Sequence, residues 1–399
     1  IKDLTPVAGV TTTYGTTGLS EFVPAKSSSL VRRMEENGGV VVGKSNTPEF
    51  GAGGNTFNAV FGSTKNPWDV TRNAGGSSGG AAASLATGEV WLAHGSDFAG
   101  SLRTPAAYCG IVGLRPSPGL VPCDANSLGF QTDAVQGPMA RSVRDCALFL
   151  DTMVGFDRGA PISFKGAAQN YQDVVVRADQ KVRVAYTRDF GGFLTVSTEM
   201  SALLDAALRQ VEKCGAEVVE ADPELFDLDE TYRTLRGVVW AGSQGRPPDA
   251  VQQHFKQTIK DDIRFGNALT IDDVLNAQVN RTKQYWSVCG MLEDFDVIAC
   301  PVVGVMPGPI DEEYPTQIDG IEQDDYLGWL KPSFLATVTG LPAISVPAGF
   351  SSGGMPFAVQ LIGQPRGEAA LLAAARSFEI AFGGPNKPID PVSSVKSGS

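Results

Sequence analysis

Two serine-bearing, glycine-containing stretches lie between Gly75 and Arg103. They are Gly75-Gly76-Ser77-Ser78-Gly79-Gly80 and Ser96-Asp97-Phe98-Ala99-Gly100-Ser101. Such backbone serves as a phosphate cradle, a flexible linker, or a tight turn that presents a hydroxyl. A P-loop needs a lysine after its last glycine, and Ala81 follows Gly80 here. The G-x-G-x-x-G spacing of a dinucleotide site is absent as well. A glycine-rich turn leading into a helix over Ala81–Thr87 is the simplest structural reading. Glycine makes up 46 of the 399 residues, well above the usual ~7 %, and much of the excess falls in turns of this kind.

Around these stretches, apolar runs alternate with amphipathic ones. Ser27–Asn37 reads as a helix with Leu30, Val31 and Met34 on one face, ended by Gly38-Gly39, and Val40–Val42 follows as a buried strand. Val182–Tyr186 reads as a strand, Glu199–Lys213 as a helix, and Glu217–Val219 and Val297–Cys300 as strands. Ala343–Val346 and Phe357–Ile362 flank Ser351-Ser352-Gly353-Gly354 as a hairpin, and Gly367–Ile380 is a closing helix. The predicted fold class is α/β: a single large domain over 1–385 with a central mixed, twisted β-sheet covered by helices on both faces. Asp157–Asp179 is expected to be a surface excursion, and 386–399 a loose polar C-terminal tail. The chain opens "IKDLTPVAGV", like mid-domain sequence, so an N-terminal part before Ile1 is expected in the full protein.

Composition narrows the function classes. With 42 % hydrophobic and 19 % charged residues and no apolar run of spanning length, a soluble chain without a membrane partner is expected. A net charge of −12 disfavours nucleic acid. The six cysteines form no C-x-x-C pair, which reads as free thiols in a cytoplasmic protein. Two histidines cannot build a histidine-rich metal site, and no metal or cofactor is expected. Oligomeric state is unreadable, and a homo-oligomer is compatible with the sequence.

Small residues at Ala99 and Gly100 let backbone approach a ligand closely. Successive amides from Phe98 to Ser101 can converge on an anion, as in an oxyanion hole. A serine nucleophile also needs a base. His94, seven positions before Ser101, and His254, in a polar context, have no evident carboxylate orienter in sequence. A Ser-His-Asp triad is therefore disfavoured, and the G-x-S-x-G elbow is absent at Ser101.

These two stretches, extended through Leu102-Arg103-Thr104-Pro105-Ala106-Ala107-Tyr108-Cys109-Gly110, resemble the amidase signature family. The segments "GKSNTPEF" (Gly43–Phe50), "NPWD" (Asn66–Asp69), "GPMARSVRDCALFLD" (Gly137–Asp151) and "TGLPAISVPAGF" (Thr339–Phe350) are similar to the family too. The resemblance spans nearly the whole chain. It implies the amidase signature fold and a Ser-cisSer-Lys triad. Ser101 matches the nucleophile, Ser77 the bridging serine 24 residues before it, and Lys2 the base. Lys44 matches a structural element of the family. The implied oxyanion hole is made by the amides of Phe98, Ala99, Gly100 and Ser101, with a cis peptide at Gly76–Ser77. Gly76, Ser78, Ser96, Asp97 and Arg103 are implied supporting residues. Ala99 stands where the family more often has glycine, which narrows the pocket or tilts one donor. Phe98 and Cys300-Pro301-Val302-Val303 are expected near the pocket.

The implied activity is hydrolysis of a small aliphatic or aryl acylamide through a seryl acyl-enzyme, with no cofactor. A free lysine, pKa ~10.4, is protonated at neutral pH; burial must lower that value before Lys2 can act as a base. Two other readings stand beside this one. One is the A-type amidotransferase component that supplies ammonia to misacylated tRNA, against which the acidic charge and the stretch after "GLRPSPG" argue. The other is a non-catalytic binding protein retaining the fold, against which the joint presence of Lys2, Ser77 and Ser101 argues.

Overall fold

The alternating apolar runs pair into one eight-stranded sheet in the computed structural model, which describes residues 1–124, 128–176, 181–244 and 247–392. In chain order the principal elements begin with α1 (Ser29–Glu36), α2 (Gly79–Thr87), β1 (Leu92–Asp97), α3 (Arg103–Cys109), β2 (Val112–Arg115), β3 (Val135–Ala140) and α4 (Val143–Met153). They continue with β4 (Arg183–Tyr186), α5 (Thr198–Lys213), β5 (Glu217–Glu220), α6 (Leu228–Val239), α7 (Ile271–Asp294), β6 (Val297–Pro301), β7 (Ala343–Phe350), β8 (Pro356–Gly363) and α8 (Glu368–Ala381). The order across the sheet is β1-β3-β2-β7-β8-β6-β4-β5. β6–β4 and β4–β5 pair in parallel, and the remaining neighbours are antiparallel, so the sheet is mixed.

Alternation along the central strands separates the core into two layers. Val297 and Ala299 of β6, Ile344 and Val346 of β7, and Val359 and Leu361 of β8 face a cluster with α1, α4, α5 and α8. Ile298 and Cys300, Ala343, and Ala358 and Ile362 face the opposite cluster with α6 and α7. Helices thus cover both faces of a single domain. Serine side chains cap three of them: Ser28 accepts from the Val31 amide, Ser142 from Asp145 and Ser197 from Met200. No described helix is long and apolar enough to cross a membrane.

Three local expectations need correction. Val40–Val42 is not a buried strand: Val40 and Val42 are 83 % and 77 % exposed. Pairing starts only at Gly43, whose carbonyl accepts from the Ile1 nitrogen, and continues as the Asp3 amide donates to Ser45 O. Among the described residues no ladder partner reaches 40–42, and an apolar triplet without one is no strand. Within the expected excursion, Tyr171–Val176 is helical and buries Tyr171 and Val175 with α4; residues 177–179 lie outside the described residues. The tail is tied down as far as it is described. The Ile389 amide donates to Ala86 O, the Val392 amide to Pro67 O, and Asn386 Nδ2 to Gly110 O; 393–399 lie outside the described residues.

Candidate active site

The two serine-bearing turns stand side by side ahead of two helices. Ser77 and Ser78 precede α2, Ser101 precedes α3, and the Ser78 amide donates to Ser101 O at 3.3 Å. The Gly76–Ser77 peptide is cis. A side chain at Gly76 would come within 2.9 Å of Asn55 C and 3.0 Å of Thr56 Oγ1, so that backbone has room for glycine alone. Gly100, at φ +88°, sits in the left-handed region with Thr104 Oγ1 2.8 Å from where a Cβ would be.

Lys2 enters this pair of turns from the N-terminal segment and is completely buried. Its Nζ lies 2.6 Å from Ser77 Oγ, 2.9 Å from Ser78 Oγ and 2.9 Å from Ser96 Oγ. All three contacts are uncharged hydroxyls. Burial, against a weaker upward pull from Asp97, lowers the Lys2 amine to about 7. The sequence-nominated Lys2, Ser77, Ser78 and Ser96 are therefore brought together. Ser101 is 7 % exposed and shares with Ser77 the wall of a cavity of about 220 Å³. Lys44 stands apart in an ion pair, 2.8 Å from Asp3 Oδ1, with a further bond to Thr12 Oγ1.

Asp97 and Arg103 anchor the turn that carries Ser101. Arg103 Nη2 lies 2.8 Å from Asp97 Oδ1 and its Nε lies 3.0 Å from Oδ2, a two-point pair with both side chains fully buried. Arg115 Nη1 adds a contact at 3.2 Å. Burial alone would raise the Asp97 carboxyl; the Arg103 and Arg115 guanidiniums override it and hold Asp97 far below the usual carboxylate range. Asp97 also accepts from the Gly100 amide at 3.2 Å and the Leu102 amide at 3.1 Å. Of the four residues expected to supply oxyanion donors, one amide already has a partner. The Gly100 amide is committed to the buried carboxylate, and only Phe98, Ala99 and Ser101 of the four residues line the cavity.

Sequence reasoning missed several members. Arg115 on β2 and Gln360 on β8 complete the ionic cluster; Gln360 Oε1 accepts from Arg103 Nη1 at 2.5 Å. The available signal was polarity out of place: an arginine closing an apolar strand and a glutamine inside "PFAVQLIG". His94, set aside as a triad member, proves to touch the lysine. The Lys2 amide donates to His94 Nδ1 at 3.3 Å, and His94 Nε2 is 2.6 Å from Gln136 Oε1. This pairing requires a neutral ring protonated on Nε2, and burial pushes His94 down to about 3. His94 and Ser96 lie two apart on β1, so this strand holds both the backbone and the amine of Lys2. His254 is elsewhere, beside Thr17.

Phe98 lines the cavity as expected, but Cys300 does not. Its thiol is fully buried against Gln360 Nε2 at 3.0 Å and pushed up to about 12 by burial. A larger cavity, about 800 Å³, is lined by Val40–Val42, Lys44 and His94, but neither Ser77 nor Ser101 reaches it. The candidate site is the smaller one, which Ser77 and Ser101 line.

Residues 1–372 match the family model described as Amidase. The chain is 34 % identical to an acylamidase of Rhodococcus erythropolis over 385 residues, covering 95 % of this chain and 80 % of that protein. It is 31 % identical to the A-type component of the glutamyl-tRNA(Gln) amidotransferase of Alkaliphilus metalliredigens (strain QYMF), covering 96 % and 82 %. Among solved structures, a bacterial aryl acylamidase superposes with a TM-score of 0.87 at 28 % identity, covering 97 % of this chain and 82 % of that one. A 6-aminohexanoate cyclic dimer hydrolase superposes at 0.84 with 29 % identity, covering 96 % and 84 %. Fold and relatives together define an α/β-class hydrolase acting on amides. The chain belongs to the amidase signature family.

Proposed function

We propose that this protein hydrolyses a small aryl or aliphatic acylamide to an acid and an amine or ammonia, through an acyl-enzyme on Ser101. The observation that carries the reading is the contact between an amine lowered to about 7 and the Ser77 hydroxyl, 2.6 Å away. A neutral amine has two hydrogens and one lone pair. Ser78 and Ser96 accept the hydrogens, which leaves the lone pair for the Ser77 proton. Ser77 takes the proton of Ser101 as Ser101 Oγ attacks the amide carbonyl. The oxyanion that forms is met by amides of the turn after Asp97, of which those of Phe98, Ala99 and Ser101 belong to cavity-lining residues. Ser77 then delivers a proton to the departing nitrogen, the C–N bond breaks, and water repeats the relay to release the acid.

The A-type amidotransferase components are nearly as similar in sequence as the acylamidase, so the choice between the two roles rests on the cavity. Leu4, Phe50, Phe98, Trp240 and Leu330 give it an aromatic and apolar part beside Asp97, Arg236 and Tyr326; with the Arg236 charge already met by Asp262, this lining favours a hydrophobic amide over the charged ends of glutamine. A panel of short, long and aromatic amides, run beside glutamine, tests the assignment. Turnover of aryl or alkyl amides without a partner chain, lost in Ser101→Ala, is expected. Turnover of glutamine alone, or unchanged activity in Ser101→Ala, overturns it.

A further inference from the structure

The same cavity contains a buried cation that this chemistry does not use. Arg236 on α6 is 5 % exposed and lines the wall shared with Ser77 and Ser101. Its guanidinium carbon lies over the rings of Trp240, Phe98 and Tyr326, at 5.1, 5.4 and 5.6 Å. Nη2 is fully engaged, donating to Asp262 Oδ2 at 3.0 Å and Tyr326 Oη at 2.5 Å. Tyr326 Oη in turn donates to Asp262 Oδ2 at 2.6 Å. A guanidinium has five N–H donors; Nε has no hydrogen-bond partner among the described residues, Nη1 takes no part in the bonds to Asp262 and Tyr326, and the Tyr232 hydroxyl interacts with the same guanidinium. The indole N–H of Trp240, also on the cavity wall, is likewise unpartnered among them. Buried donors are seldom left unmet.

The geometry limits what can meet them. With Nη2 spent, the end-on fork that grips a carboxylate at two points is closed, and Nη1 is left as a single-point donor. Asp262 already balances the charge. A second anion here would crowd that carboxylate; a neutral oxygen would not. We propose that Arg236 sets substrate specificity by donating from Nη1 to a neutral oxygen acceptor, such as a carbonyl or nitro group, on the part of an aromatic amide remote from the scissile bond. This deepens, and rests on, the amidase reading of Ser101.

The test compares the wild type, Arg236→Met and the double variant Arg236→Met/Asp262→Leu. The double variant removes both charges together, in case a lone Asp262 prevents folding. Each is assayed on para-acetyl, para-isopropyl and para-carboxy benzamide and on the corresponding acetanilides. The wild type is expected to favour acetyl over isopropyl by about tenfold or more in kcat/KM in one series. The preference should vanish in the variants; substituent electronics are common to all three proteins and cancel. Equal rates in the wild type, turnover of neither series, a preference for the carboxylate, or a preference that survives in the variants overturns the proposal. Fluorophosphonate labelling of Ser101 separates the two levels. An unlabelled Ser101 in the wild type defeats the amidase reading and this inference with it; a labelled Ser101 without discrimination defeats this inference alone.

Discussion

Lys2 and Asp97 lie in one site and are equally shut off from water, yet only Asp97 keeps a fixed charge. Burial opposes the charged form of both. Asp97 meets two guanidiniums and two amides, and stays an anion. Lys2 meets three hydroxyls and no touching carboxylate, and its amine falls to about 7. The partner, rather than depth, decides whether a buried ionisable group is a fixed charge that shapes a turn or a group free to exchange a proton.

Removing the amine should have the largest effect. Lys2→Met keeps the length of the side chain, and a loss of about 10³-fold or more in kcat/KM is expected with the far-UV circular dichroism unchanged. Activity within tenfold of the wild type would assign the base elsewhere. Asp97→Asn strikes the other half. It leaves Arg103 and Arg115 buried without their counter-charge, and a stability loss of about 3–5 kcal/mol is expected in chemical denaturation. A loss under about 1 kcal/mol, the order expected of an exposed pair, would mean that the cluster does not hold the turn.

The third prediction reads the proton directly. Because the neutral amine is the active form, kcat/KM should rise with pH, about tenfold per unit below 7, and level off above it. A profile flat from acid to base would remove Lys2 from the relay. The same group gives a stability signature. The unfolded lysine titrates near ~10.4, and between about 7 and that value the unfolded chain binds the extra proton. Its contribution to stability therefore rises with pH across that window. Lys2→Met should lose that part of the slope.

The smallest effect concerns the backbone of Lys2. His94→Leu removes the acceptor of the Lys2 amide, while His94→Asn retains an acceptor at a similar place. About a tenfold fall in kcat is expected for the leucine, with KM little changed and the acid limb displaced; asparagine should recover most of it. Equal loss in both variants, or none in either, would reduce His94 to ordinary packing.

Much of this architecture was legible from local pattern. The helices at α1, α5 and α8 and the hairpin of β7 and β8 were foreseen within a residue or two at most ends, because cap, periodicity and turn chemistry lie within each segment. Val40–Val42 shows where local pattern stops, since a strand needs a partner that the triplet itself does not specify. Lys2, Ser77 and Ser101 were legible through family motifs. Arg115, Gln360, His94, Gln136 and Arg236 were not, because their places depend on which strands lie adjacent and in what register and, for Arg236, on how α6 packs.

The sequence by itself determined which hydroxyls and which amine are available, and which backbone must be glycine to carry them. The tertiary structure alone decided the environment of each. Strand pairing set His94 and Gln136 around Lys2, the packing of strands brought Arg115 to Asp97, and the packing of α6 put Arg236 on the cavity wall. Hydrogen bonds and Coulomb interactions act through space over a few ångströms, and chain separations such as the 92 residues between Lys2 and His94 carry no record of that proximity.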